Sequence, residues 1–336
     1  MKELKRIHNK DIIDFSSNIN FAFPGKFILN SVEENLESIF SYPEIDSFSL
    51  KEKASGCLAI NPENIIFGNG ATELIYLILK SLSPRKLSIT IPTFTEYERA
   101  ARSFGIDVQY IYLEKETFSL PEFKRTDFLF ICNPNNPTGN LLFPNLEELL
   151  KLGSFSFLIV DESFLDFLDK KEQNTIIYEA VKSKNILVLR SMTKFFAIPG
   201  LRLGYLVGKE STIRKLKTAL PPWNVNALSQ AVGERLFEFR DFDRINRKIA
   251  EERRFLFAKL KEIKGLKPYP SRINFFLVKI LSDMSATKLR KKLIEKGILI
   301  RACSNIPGLG EKFIRITVLA HDKNIVLLKY LQEILA

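Results

Sequence analysis

Six short runs, NIIFG, KLSITIP, VQYIYL, DFLFICN, SFLIVDE and NILVLRS, are almost unbroken in apolar residues. A strand with one wet face alternates apolar and polar side chains, so continuous runs of this kind imply burial on both faces. Helical patterns such as ATELIYLILKSL and NLEELLKLG lie between several of them. Strands that alternate with helices predict an α/β domain with a mostly parallel central sheet sandwiched by helices.

After residue 220 the texture changes. Residues 226–262 contain little Gly or Pro and read as one long helix ending near Lys264-Gly265. Then come NFFLVKI, the charged helix SATKLRKKLIEKG, the strands ILIRA and FIRITVL, and a last helix NIVLLKYLQEIL. The expected division is a large α/β domain over 30–225 and a smaller α+β domain built from 1–29 and 226–336, with the long helix as connector.

A chain of 336 residues with 46% hydrophobic and 26% charged residues has the make-up of a soluble globular enzyme. No apolar run approaches the roughly 18 residues of a membrane span. The opening MKELKRIHNKDIIDF has no apolar signal-peptide core. Cys57, Cys132 and Cys303 are scattered and odd in number, which fits a reducing cytoplasm. Two histidines and no Cys-x-x-Cys predict no metal site. The net charge of +11 is spread among acids and apolar residues. Such dispersion fits solvated helix faces, or a funnel for an anionic small substrate, rather than a nucleic-acid surface.

Polar stretches break the pattern where strands end. GNGATE leaves a strand and opens a helix, so the amides of Gly70, Ala71 and Thr72 suit a phosphate, although the stretch also serves as a plain helix start. It lacks the third glycine of a dinucleotide fingerprint. CNPNNPTG follows DFLFI; its prolines force an irregular path that leaves Asn136 to bond something in the crevice. LIVDESF ends a buried strand in two acids, and Asp161 there needs a cation, either Lys194 or a ligand.

RSMTKFFAIPGLRLGY then places Lys194 and Arg202 in apolar surroundings behind the hydroxyls of Ser191 and Thr193. Carboxyl ends of strands are where open α/β sheets bind ligands. A helix N-terminus, Ser191 and Arg202 could hold a phosphate, Asp161 a protonated ring nitrogen, and Lys194 an aldehyde. Pyridoxal 5′-phosphate (PLP) carries all three groups. Ser191-x-x-Lys194 also matches a β-lactamase motif, but the required partners are absent: SSN lies upstream at 16–18 and KTA stands at 217–219.

SYPE, GNGATE, NPNNPTG, VDESF and SMTKFFAIPGLRLGY stand together in an order that resembles the fold-type-I PLP-dependent aminotransferases over nearly the full chain. The branch is the one containing histidinol-phosphate aminotransferase and threonine-phosphate decarboxylase. DFSSNIN, PPWNVNALSQ and ILIRACSNIPGL look more like the decarboxylase of cobalamin biosynthesis. The resemblance implies that Lys194 is catalytic and that Phe94 stacks on the cofactor ring. Asn18, Asn136, Arg301 and Arg315 would contact a phosphorylated amino-acid substrate, the arginines taking its carboxylate and phosphate. Tyr42 would reach the cofactor phosphate of the other subunit of a homodimer. Phe164 stands where aminotransferases usually have tyrosine, as in the decarboxylase. The decarboxylase's His-Gly-Gly segment is here only His8-Asn9-Lys10. The implied reaction is decarboxylation of L-threonine O-3-phosphate; the alternative is amino transfer from histidinol phosphate.

Overall fold

The computed structural model describes residues 11–168 and 174–336, so His8-Asn9-Lys10 lie outside the described residues. Its strands are β1 Ile13–Asp14, β2 Ile65–Asn69, β3 Lys86–Ile91, β4 Asp107–Tyr112, β5 Thr126–Cys132, β6 Phe155–Asp161 and β7 Ile186–Ser191. They continue with β8 Leu203–Val207, β9 Leu266–Pro268, β10 Phe275–Ile280, β11 Ile298–Leu299, β12 Arg301–Ala302 and β13 Phe313–Thr317.

The large sheet has the order β2-β8-β7-β6-β5-β3-β4. Its pairs from β7 to β4 are parallel, as expected from the apolar runs, and β8 alone runs against its neighbours β2 and β7. Strand β8 is not among the six runs read from the sequence; Gly204 interrupts its apolar character. That glycine is a packing requirement. A Cβ at Gly204 would lie 2.6 Å from the amide nitrogen of Ala71 and 2.9 Å from the carbonyl oxygen of Arg190. The strand therefore runs hard against the start of the helix Ala71–Leu82.

A second sheet, β12-β13-β10-β9, is antiparallel. Period-two alternation splits β10 between two cores: Phe275 and Leu277 join the core under the large sheet, while Phe276, Val278 and Ile280 join the core of the smaller unit. The short β1 pairs with β11, and Phe15 just after it is buried in the smaller core. The chain's early segment is thus held beside the late one.

The helix expected over 226–262 is instead two, Ala227–Phe237 and Phe242–Glu262. Aromatic packing separates them. Phe239 lies 4.9 Å from Phe23 and Phe242 stacks 5.1 Å from Phe195, both centroid to centroid. The Arg240 guanidinium donates to the carbonyls of Phe237 and Phe239 and satisfies the broken end. No helix among the described residues is long and apolar enough to cross a membrane.

Gly204→Ala should cost about 1–3 kcal/mol, because both near atoms are backbone and neither can rotate away. Thermal unfolding of the purified variant checks this; an unchanged midpoint would contradict the close approach.

Candidate active site

The loops after β2, β5, β6 and β7 gather at one edge of the large sheet, because those strands run the same way. They enclose a cavity of about 210 Å³. Ser16, Ser17 and Asn18 close it from the segment following β1, and Arg315 reaches it from β13.

Alternation at the end of β6 sorts its two acids. Glu162 turns to the far face, where its carboxylate lies 2.8 Å from Arg190 Nε and accepts from Thr175 and the Ile176 amide. Asp161 turns into the cavity and is 4% exposed. Its Oδ1 accepts the Ser163 amide at 2.8 Å and its Oδ2 the Tyr97 hydroxyl at 2.5 Å. Burial pushes the Asp161 carboxyl above its usual range, against the lowering effect of those donors.

Lys194 sits in the short turn of helix Met192–Phe195 directly after β7. Its Nζ donates to the Ser17 carbonyl at 2.9 Å. The ion pair with Asp161 that the sequence left open is therefore not formed; each group has its own neutral partner. Burial, then Arg315 and Arg202, push the Lys194 ammonium down to about 8, with Asp14 opposing.

Arg202 is bent into the left-handed region, with φ +61°. Its Nη2 would lie 2.5 Å from a Cβ at Gly70, itself at φ +80°. Only glycine allows both that backbone and that approach. Ala71, Thr72, Ser191 and Thr193 line the cavity with Arg202. Phe94 lines the cavity and meets Tyr97 edge-on at 5.6 Å.

Asn136 is not free: its Oδ1 accepts from Arg315 Nη1 at 2.5 Å. Arg315 Nη2 donates to the Ser16 carbonyl at 2.6 Å, and Nε is buried without a hydrogen-bond partner. Burial, together with the neighbouring Arg301, lowers Arg315 to about 10, which leaves it charged at neutral pH. Asn18 is fixed by Thr317, whose hydroxyl donates to its Oδ1 at 2.9 Å. Arg301 lies outside this cavity, in an adjoining one of about 420 Å³ that shares Ser16 with it. Tyr42 does not reach the cavity of its own chain; it is 83% exposed and packs on Trp223 at 4.9 Å. Ser16, Ser17, Ile75, Tyr97, Cys132 and Ser163 line the cavity and were missed by sequence reasoning.

The family model for aminotransferases of class I and II matches residues 10–331. The chain belongs to that family. It is 33% identical to the threonine-phosphate decarboxylase of Salmonella typhimurium, over 96% of this chain and 91% of that protein. It is also 33% identical to the histidinol-phosphate aminotransferase of Ruminiclostridium cellulolyticum, over 92% and 86%. The same fold appears in the crystal structure of histidinol-phosphate aminotransferase from Sinorhizobium meliloti in complex with PLP (TM-score 0.86, 19% identity, 99% of this chain and 94% of that one).

PLP is the cofactor of this aminotransferase family, and the residues here fit it. Arg202 has no carboxylate partner among the described residues, and Gly70 leaves room beside its guanidinium for an anion. Asp161 has spare lone pairs facing the cavity, as a protonated ring nitrogen requires. The amides of Gly70, Ala71 and Thr72 with Ser191 and Arg202 would hold the phosphate, Phe94 and Asp161 the ring, and Lys194 the aldehyde.

Because the Lys194 ammonium loses its proton near pH 8 rather than 10.5, the amine is ready for an aldehyde at lower pH than free lysine. Uptake of PLP by the apo-protein, followed by absorbance, should rise through about pH 8 and level off above it. A rate still climbing at pH 10 would refute the depressed value, and Lys194→Ala should abolish the covalent uptake.

Proposed function

We propose that this aminotransferase-family enzyme decarboxylates L-threonine O-3-phosphate to (R)-1-aminopropan-2-yl phosphate, a step of cobalamin biosynthesis. The reading rests on one arrangement. Arg301 and Arg315 are directly opposed residues in the antiparallel pair β12–β13. Like charges in that position repel, and the hydrogen-bonding partners of both are neutral oxygens: Asn305 Oδ1 for Arg301, Asn136 Oδ1 and the Ser16 carbonyl for Arg315. A substrate carrying a carboxylate and a phosphate supplies two anions to match two cations. Histidinol phosphate supplies one.

When bound, PLP supplies an electron sink for the bond broken at the substrate's α carbon. The chain's own groups decide which bond that is. Arg315, pinned between Asn136 and Ser16, would hold the carboxylate in the inner cavity, and Arg301 the phosphate in the adjoining one. Carbon dioxide leaves, and a proton replaces it on the α carbon. Lys194 Nζ would deliver that proton, since its value of about 8 lets it gain and lose one near neutral pH.

We also propose a homodimer in which Tyr42 serves the partner's cofactor phosphate. Ile39, Phe40, Tyr42, Ile45, Phe48 and Trp223 are large exposed hydrophobic residues, five of them within one short segment. Exposed apolar surface of that extent marks an interaction face.

Wild-type enzyme with PLP should release carbon dioxide from threonine phosphate. Arg301→Ala and Arg315→Ala should each lower kcat/KM about a hundredfold or more, since a lost charge-assisted pair costs roughly 2–5 kcal/mol in a desolvated site. Efficient transfer of the amino group of histidinol phosphate to 2-oxoglutarate, with no carbon dioxide from threonine phosphate, would replace this reading with the aminotransferase one.

Mixing inactive Lys194→Ala with impaired Tyr42→Phe protein should restore activity, because each hybrid dimer then has one site with neither defect. No recovery, with subunit exchange demonstrated, would place Tyr42 in its own chain's site.

A further inference from the structure

We propose that Tyr97 is a positioning residue for the cofactor: its hydroxyl keeps the Asp161 carboxylate ionised and aimed at the place of the ring nitrogen. Tyr97 lies in the first turn of the helix Glu96–Ser103 and is wholly buried. Its ring stacks on Phe130 at 4.1 Å and meets Phe94 edge-on. These contacts fix the ring, and the 2.5 Å bond from its hydroxyl to Asp161 Oδ2 follows from that placement.

Asp161 draws its donors from two residues. Ser163, two residues along the same turn, gives its amide to Oδ1 and a side-chain hydrogen bond that also favours the carboxylate, while Tyr97 holds Oδ2. Burial favours the neutral acid, and a neutral acid cannot stabilise a protonated ring nitrogen. Two further groups near Asp161 are committed elsewhere. The Cys132 thiol donates to the Pro134 carbonyl, and Arg190 is paired with Glu162 on the opposite face of the sheet. The phenol stays protonated, because burial and the adjacent Asp161 charge both push its ionisation well above the usual range. It therefore donates throughout the neutral range.

The plain alternative is that Tyr97 is a core aromatic whose hydroxyl happens to find an acceptor. Phenylalanine separates the two, since it keeps the stack on Phe130 and the edge contact with Phe94 and removes only the hydroxyl. A role through Asp161 appears as coupling between the two residues in cofactor binding.

The experiment is a double-mutant cycle on the dissociation constant of PLP for full-length apo-protein, measured by equilibrium dialysis. The proteins are wild type, Tyr97→Phe, Asp161→Ala and the double variant, with Asp161→Asn as a second acid-free background in case the alanine variant retains no PLP. A hydrogen bond to a charged group leads us to expect roughly tenfold or greater weakening by Tyr97→Phe when Asp161 is present. In either acid-free background the same change should weaken binding less than about twofold. Melting of the apo-proteins provides the second readout. Tyr97→Phe should leave the apo midpoint nearly unchanged while reducing the rise that saturating PLP produces. Equal weakening with and without Asp161, or none in its presence, would overturn the proposal and leave Tyr97 a packing residue.

Discussion

Lys194, Arg202 and Arg315 share one cavity with a single buried carboxylate, Asp161, whose oxygens already accept hydrogen bonds from Tyr97 and Ser163. Positive charge withdrawn from water and left unmatched is costly. The polypeptide reduces that cost only in part, with neutral carbonyls such as those of Ser16 and Ser17. The depressed Lys194 value expresses what remains. An anionic cofactor and an anionic substrate remove the rest, so the same imbalance that disfavours the empty cavity provides the driving force for filling it.

The fold exists around that imbalance. Parallel strands bring their carboxyl ends to one edge, where the end of β6 places Asp161 and the helical turn after β7 places Lys194. The reversed strand β8 then brings Arg202 back beside the N-terminus of the helix Ala71–Leu82, and Gly204 and Gly70 are the two places where a side chain would keep them apart. The smaller unit adds Arg315 from β13, while β1 pins the early segment that supplies Ser16 and Ser17. The site is therefore assembled from both units, with cations from each.

Elements whose signal is local were legible in the sequence. Each of the six apolar runs matches a strand of the large sheet to within one residue at either end, and GNGATE, NPNNPTG, VDESF and SMTKFF all contribute to the cavity because chain direction alone puts strand ends together. Contacts set by tertiary packing were not legible. Nothing in PTFTEY distinguishes Tyr97 from any core aromatic, since its role depends on Phe130, far along the chain, holding the ring beneath Asp161. The break at 238–241 was hidden for the same reason: no Gly or Pro marks it, and the side chains around it pack in a cluster with Phe23 and Phe195. Strand β8 was masked by the glycine that makes it useful.

On the proposed reading, the choice between breaking one α-carbon bond and another would be carried by side chains set back from that carbon. Phe164 meets Phe275 edge-on at 5.1 Å, and the Arg315 guanidinium lies over the Phe275 ring at 5.2 Å. Arg315 is thus held by a stack on one face and by Asn136 and Ser16 at its ends, with few remaining directions for an anion to approach. Rotating that guanidinium would move a bound carboxylate relative to the cofactor ring. A hydroxyl on residue 164 would have to find a partner within this apolar contact or turn toward the cavity. On the proposed reading, phenylalanine at 164 leaves the stack dry and Arg315 fixed, and the position of one guanidinium becomes the element that selects carboxylate loss.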